Sequence, residues 1–531
     1  MPVPRTTRRS LLALPMAATL ARPAIAQPRI RPVRFVPFAD LTVLDPIVTT
    51  TYVTRNHGYL VFDTLYGLDE NWAVQPQMAA GHVVEEDGRR IRIRLRDGLR
   101  FHDGEPVRAA DCAASIRRWA ARDPLGQTLL ARADAIGALD ERTIEIRMRR
   151  PFPMLFEALA KTSPPICFMM PERLAATDPA RPVPEVIGSG PFRFLPGERV
   201  PGARNAYARF DGYVPRAEGR PGGSAGPKVA HVERVEWLTM PDTATAAVAL
   251  QTGEVDWWEW PSFDLLPRLR RHPGLHVWVP DTSGFLPFLR FNHLHPPFDD
   301  PAMRRALLPA IVQADFMQAI VGDDHSLWQD GVGFFPPGTA MASDVGMAAL
   351  TGPRSPDAAR RALAAAGYRG EPATLIGPTD LLQAKALTEV AADALGRAGV
   401  AIDLVMTDWA GVVARRANRN PPAQGGWNLL LTYFSGLDLL HPAVHLLLRA
   451  NGTEAWPGWP TLPALEALRD AWLDAPDLAA RQAIARRIQA EAFQDLPYIP
   501  VGKFTQPTAH RRDLVGMVSG PTAFWNLRRE V

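Results

Sequence analysis

The chain has two cysteines, Cys112 and Cys167, in 531 residues, too few for a disulfide-built scaffold. They form no cluster that could ligate iron–sulfur or attach haem. One bridge between them and two buried thiols are both open readings. No apolar run reaches the roughly 20 residues that a membrane-spanning helix needs. Charge of either sign is not in excess: 59 basic residues face 56 acidic ones, interspersed rather than clustered, and this excludes a nucleic-acid footprint.

Catalytic signatures are equally scarce. Neither H-E-x-x-H nor G-x-x-x-x-G-K-[ST] occurs. G-x-S-x-G occurs once, at 222–226 around Ser224, inside the Gly/Pro-rich stretch 216–228. An elbow nucleophile needs a strand before it and a helix after it; this stretch reads instead as a surface loop. Three histidine pairs have metal-compatible spacing: His272 with His276, His293 with His295, and His441 with His445. None has a third ligand nearby, so they read as surface or capping residues, and no metal or cofactor is assigned.

What is present begins at the amino terminus. Arg8 and Arg9 precede Ser10-Leu11-Leu12, an apolar run to Ala21 and a small-residue site at Ala24-Ile25-Ala26. Residues 1–26 therefore read as a cleaved signal peptide of twin-arginine type, with an ordinary secretory route as the alternative. No cysteine follows for an acyl anchor, which predicts a mature protein free in the periplasm, without membrane insertion. The leader holds Arg5, Arg8, Arg9 and Arg22 and no acid, so its removal turns the net charge of +3 into −1. The mature chain is too long for a single core, and at least two lobes are expected.

Two runs alternate with a period of two: Ile91, Ile93 and Leu95 against arginines, then Ile144, Ile146 and Met148. Helix signals are as plain. Ser355 before Pro356 and Asp357, with Gly367 as a stop, marks one helix; Asp300-Pro301 and Asp477 start others. Strands alternating with helices give an α/β class. The run GEVDWWEWP at 253–261 reads as a helix stop followed by a strand, with Trp257 and Glu259 on one face and Trp258 and Trp260 on the other. Either face could line a ligand.

Several phrases together resemble the family 5 extracytoplasmic solute-binding proteins of ABC transporters, the group of oligopeptide, dipeptide and nickel-complex binders. They are LDP at 44–46, VFDTLYGLD at 61–69, LRDGLRFHDGEPVRAAD at 95–111, GSGPF at 188–192, LQTGEVD at 250–256, FNHLHPPFDDPAMRRAL at 291–307 and the helix beginning at Ser355. Each is weak alone and the ordered set is specific. The resemblance implies an α/β, two-lobed periplasmic-binding-protein fold with crossing strands and a ligand cleft between the lobes. Residues 27–285 would form lobe I with a family-specific extra subdomain, 286–500 lobe II, and 501–531 the return to lobe I. It also implies a monomeric receptor, not an enzyme, that passes a small-molecule or peptide ligand to an inner-membrane ABC permease complex. A metal-chelate receptor is the alternative; a secreted hydrolase using paired carboxylates finds no motif to support it.

The same resemblance carries over candidate contacts. Thr50, Thr51 and Tyr52 lie in the loop that would reach the cleft, and Trp409 stands where dipeptide binders pack a tryptophan on the ligand. Asp438, four residues before Pro442, matches the spacing of the aspartate that holds a peptide's amino terminus. Trp258, Glu259 and Tyr433 are further candidates. Where dipeptide binders carry an arginine for the ligand's carboxylate, residues 377–386 supply Thr379 and Asp380 but no arginine. Asp438, Glu259 and Asp380 instead suit an amine or another cationic solute.

Overall fold

Helix starts follow the local chemistry. In the computed structural model, which describes residues 31–530, the Ser355 side chain accepts from Ala358 N at the head of the helix Pro356–Ala365. Asp300 caps Pro301–Ala306 and Asp477 caps Leu478–Asp495 in the same way. Each cap satisfies a backbone N–H that the first helical turn leaves free. The leader at 1–26 lies outside the described residues.

The period-two runs become neighbouring strands. Arg90–Leu95 pairs antiparallel with Thr143–Met148, placing Ile91 opposite Ile146 and Ile93 opposite Ile144. All four are buried on one face, and the arginines stay on the wetter face. With Ala79–Glu85 and Ala133–Ala138 these strands make a four-stranded antiparallel sheet.

Two larger mixed sheets carry the lobes. The first has seven strands, with Val33–Val36 at its centre between Arg234–Leu238 and Trp257–Trp258, both parallel to it. The second is built on Phe285–Phe291, whose seven residues are all buried. That strand pairs antiparallel with Leu429–Ser435, which in turn lies parallel to Ala373–Pro378. The chain passes from the first sheet to the second through residues 279–284, between strands Leu275–Trp278 and Phe285–Phe291. It returns through 505–507, between Lys503–Phe504 of the second sheet and Thr508–Arg511 of the first. These two strand-to-strand crossings bring the lobes together.

Helices seal the outer faces. Ala246, Ala249 and Leu250 of the helix Thr243–Thr252, with Leu269, pack on Val36, Trp258, Leu275 and Ala509. Gly253 ends that helix in the left-handed region at φ 77°, the conformation glycine adopts without a Cβ penalty.

One expectation is corrected here. Residues 222–226 are buried rather than a surface loop: Ser224 Oγ accepts from Leu68 N at 2.9 Å, and Gly67 has no room for a Cβ against the Ser224 carbonyl. Of the two readings left open for the cysteines, that of two buried thiols holds: Cys112 and Cys167 are free and buried. Among the described residues, no helix is long and apolar enough to cross a membrane.

Candidate functional site

The helix Tyr52–Val61 is unusual in composition for its position. Nine of its ten residues are buried, yet four of those, Thr54, Arg55, Asn56 and His57, are polar. Burial of polar groups is tolerated when each finds a partner. Thr54 Oγ1 donates to Val43 O at 2.8 Å, Asn56 Nδ2 to Glu259 Oε1 at 2.7 Å, and His57 Nδ1 bonds the Tyr207 hydroxyl at 2.9 Å.

At the head of this helix the two lobes meet. Tyr52 donates its hydroxyl proton to Asp438 Oδ2 at 2.5 Å and accepts from Ser435 N at 2.7 Å. The partners are 386 residues apart in the chain. Asp438 lies in the short turn Gly436–Asp438 that follows the strand Leu429–Ser435. Its side chain is not a cap, because Ser435 Oγ accepts the turn's free Leu437 N–H. Asp438 is 5% exposed, and its Oδ1 has no partner among the described residues. Burial pushes its carboxyl up to about 6, against the opposing pull of Tyr52, Arg55 and Lys161. Burial, reinforced by Asp438, also raises the Tyr52 phenol.

Aromatic rings surround this junction. Trp260 stacks on Phe38 with centroids 4.0 Å apart and meets Phe285 edge-on at 5.1 Å. Phe285 in turn touches Tyr52, Tyr433 and Phe504. Phe285, Tyr433 and Phe504 lie on strands of the second sheet, and Phe38, Tyr52 and Trp260 lie outside it. Tyr433 is buried, and burial raises its phenol.

The tryptophan-rich run divides differently from the expected alternation. The strand comprises only Trp257 and Trp258. Trp257 packs on Phe35 and Phe524 and donates to Thr508 Oγ1. Trp258 is buried under the helices of the first lobe, which corrects its assignment to the ligand. Beyond the strand the alternation ends, so Trp260 turns to the lobe junction. Glu259 is also committed internally: it accepts from Phe38 N, Asn56 Nδ2 and Thr522 Oγ1. It is 2% exposed, and burial pushes its carboxyl up to about 6. Its expected role as a ligand contact becomes that of an internal fastener.

Of the other candidates, Thr50 and Thr51 are exposed, with Thr51 bonded to Thr49 and Thr54; the structure does not bring them to Asp438. Trp409 opens the helix Trp409–Arg416 at the end of the strand Ile402–Thr407, half-buried, with the Arg416 guanidinium 5.6 Å from its ring. Asp380 accepts from Trp409 N at 2.7 Å, so it serves the helix start. The histidines mostly address backbone: His293 Pro497 O, His295 Arg419 O, His445 Phe334 O, and His272 Gly274 N. His441 stacks on Trp472, and His276 lies 5.2 Å from His510. Among the described residues, no three His, Cys, Asp or Glu side chains gather as a metal site.

Sequence reasoning missed Arg55 and Asp281. Asp281 sits in the first crossing, accepts from Ser283 N and Oγ, and is raised by burial. A charged residue three positions after Tyr52, in a helix flanked by apolar runs, was the available signal for Arg55.

A groove of about 510 Å³ also opens between the lobes, lined by Phe263, Pro267 and Arg270 on one side and Val321, Asp323 and Leu382 on the other. An exposed ion pair, Arg270 to Asp324 at 3.0 Å, stands in it. None of the Tyr52–Asp438 cluster lines this groove. The buried unsatisfied carboxylate is the stronger mark of a binding site, because an unpaired buried charge is costly and an open groove is not.

Residues 73–445 match the family described as bacterial extracellular solute-binding proteins, family 5. A probable peptide ABC transporter periplasmic-binding protein of Sinorhizobium fredii is 35% identical over 502 residues, covering 92% of each chain. Among solved structures, the binding protein AgaA of A. tumefaciens R10 in complex with agropinic acid superposes with a TM-score of 0.79. It shows 19% identity over 94% of this chain and 99% of that one. A dipeptide-binding protein of Pseudoalteromonas sp. SM9913 with bound Met-Leu gives 0.78 and 18%, over 94% and 100%.

Proposed function

The chain belongs to family 5 of the bacterial extracellular solute-binding proteins, receptors that deliver a captured solute to an ABC importer, and from that premise we propose that its own solute is a small, peptide-like or amine-bearing cation held at Asp438. One observation carries this reading: a carboxylate 5% exposed, at the meeting point of the lobes, with one oxygen bonded across to Tyr52 and the other unpartnered. An ammonium group supplies what Oδ1 lacks, a charge-assisted donor.

The rings of Trp260, Phe285 and Tyr433 would pack on the solute's apolar part, adding contact area and cation–π attraction at low entropic cost. Trp409 would stand at the rim. Closing the lobes makes the Tyr52–Asp438 and Ser435–Tyr52 bonds, so occupancy of the cleft and closure favour each other. The relatives' ligands, peptide, agropinic acid and Met-Leu, support a solute of this size. The leader at 1–26 would route the protein to the periplasm, where it would act as a monomer beside an inner-membrane permease.

Thermal unfolding of the mature protein against short peptides, alkylamines, opines, oligosaccharides and nickel chelates tests the proposal, since a ligand specific to the folded state raises Tm by mass action. A rise confined to amine-bearing probes is the expected result. A rise with oligosaccharides alone would refute it.

A further inference from the structure

Asp474 stands where local chemistry disfavours it. It ends the helix Pro463–Leu473, with its own N–H bonded back to Asp470 O, and an anion at a helix C-terminus opposes the helix dipole. Its partners come from far along the chain. Oδ1 accepts from Arg132 Nη1 at 2.7 Å and Oδ2 accepts from Arg150 Nη2, across 342 and 324 residues. The two arginines are held side by side independently of the carboxylate. Arg149 N and Arg150 N donate to Arg132 O at 2.8 and 3.4 Å, and Arg132 Nη1 donates also to Pro151 O at 3.2 Å. Arg132 is buried, with its guanidinium 5.6 Å from the Phe152 ring centroid.

The clasp joins two bodies that the backbone links elsewhere. Arg132 and Arg150 flank the strands Ala133–Ala138 and Thr143–Met148 of the four-stranded sheet. That sheet lies in an excursion of the chain that leaves the first large sheet after Val33–Val36 and re-enters it at Phe192–Phe194. Asp474 lies between the helices Pro463–Leu473 and Leu478–Asp495, and the second of these runs into Tyr498–Pro500, a strand paired with Phe285–Phe291 of the second sheet. Opposite charges meet again along the same seam, where Arg481 pulls on Glu157 against the burial that raises this carboxyl. Between Asp123, Leu125 and Lys161 on one side and Ala443, Val444 and Leu446 on the other, the seam leaves a cavity of only about 10 Å³, too small for a solute. Parting the bodies would leave two adjacent like charges without the carboxylate between them. None of the three clasp side chains bonds to Tyr52 or Asp438. We propose that Asp474 and the Arg132–Arg150 pair form a latch of the closed receptor, a positioning device remote from the solute that sets how readily the lobes close and how long a captured solute stays. Because the latch touches no solute, it favours closure of the empty receptor as well as the loaded one, whatever the cleft takes.

Single-molecule energy transfer between dyes on Leu139→Cys and Leu478→Cys reads the latch directly and needs no ligand. Both leucines are exposed, one just after the strand Ala133–Ala138 and one at the start of the helix Leu478–Asp495, whereas Cys112 and Cys167 are buried. In refolded, solute-free protein a closed, high-transfer population is expected, and Asp474→Ala should lower the closed-to-open ratio at least about five-fold. Arg150→Ala, at a side chain 63% exposed, should lower it too, and the double variant no further than Asp474→Ala alone. Raising NaCl from about 20 mM to about 500 mM should shrink the closed population more in wild type than in Asp474→Ala, because the exposed arm of the clasp is screened. Equal closed-to-open ratios in wild type and both variants would overturn the proposal. So would an equal salt response in wild type and Asp474→Ala, or an empty wild-type protein with no closed population. Should Asp474→Ala fail to fold, Arg150→Ala alone decides, since its arm lies at the surface.

Discussion

Replacing Asp438 by asparagine removes a charge and almost no volume. Burial holds this carboxyl up at about 6 rather than 3.8, which corresponds to on the order of 3 kcal/mol against the charged form at neutral pH. The amide escapes that penalty and can still accept from Tyr52, at a loss of about 1 kcal/mol for a weaker bond. The unliganded variant should therefore melt no lower than wild type at pH 7, and higher if the released penalty dominates. Linkage gives the sign of the pH dependence. An acid whose folded pKa is raised contributes its full stability below its unfolded pKa and loses it as pH rises through the folded value. The advantage of Asp438→Asn should thus vanish below about pH 4, grow between about pH 4 and 6, where the unfolded chain has released this proton and the folded one has not, and level off above the folded value of about 6. Binding should move the other way: losing a charge-assisted bond to an ammonium costs about 1.5 to 3 kcal/mol, a ten- to hundred-fold weaker Kd. Differential scanning fluorimetry reads the first quantity and isothermal titration with an amine-bearing probe the second. A lowered Tm together with an unchanged Kd would show that Asp438 serves the fold and would refute the reasoning.

Affinity of the wild-type protein for an amine should be flat above pH 7 and fall as pH drops through about 6, because a protonated Asp438 cannot pair with a cation; titrations between pH 5 and 8 check this. Tyr52→Phe keeps the ring and removes both inter-lobe bonds. It should weaken binding by about ten-fold and enlarge the liganded protein's radius of gyration in X-ray scattering. Trp258→Ala and Trp260→Ala should separate: the first, buried under helices, should cost about 3 kcal/mol or more of stability, whereas the second should chiefly weaken ligand binding, read by Tm and Kd together. Cys112 and Cys167, both buried with their thiols raised by burial, should react with a thiol reagent only after denaturation.

Legibility followed the range of the interaction. Caps such as Ser355 and Asp477 act within three residues, and the Ile91 and Ile146 rows repeat every second residue, so short windows of sequence contain the whole cause. Asp438 was recognisable through its spacing to Pro442, and Tyr52 through the loop that precedes it. Their pairing was not, since it depends on two crossings of the chain between lobes. The Trp258 expectation failed because alternation was extended past a strand that ends after two residues, and because both faces of that strand are covered. The stretch around Ser224 looked like a loop by composition, yet its glycines are there for close approach: a Cβ on Gly223 would strike the Leu68 carbonyl. Arg55 was passed over because the carboxylates that feel its charge, Glu259, Asp281 and Asp438, are brought to it only by the fold.

The central claim, that this receptor carries a small amine-bearing solute between its lobes, is tested most directly by native mass spectrometry of the protein taken from its own cells without unfolding. The account predicts a one-to-one complex whose released ligand contains a basic nitrogen and which Asp438→Asn fails to retain. A bound ligand without any basic nitrogen, or one retained equally by Asp438→Asn, would contradict it.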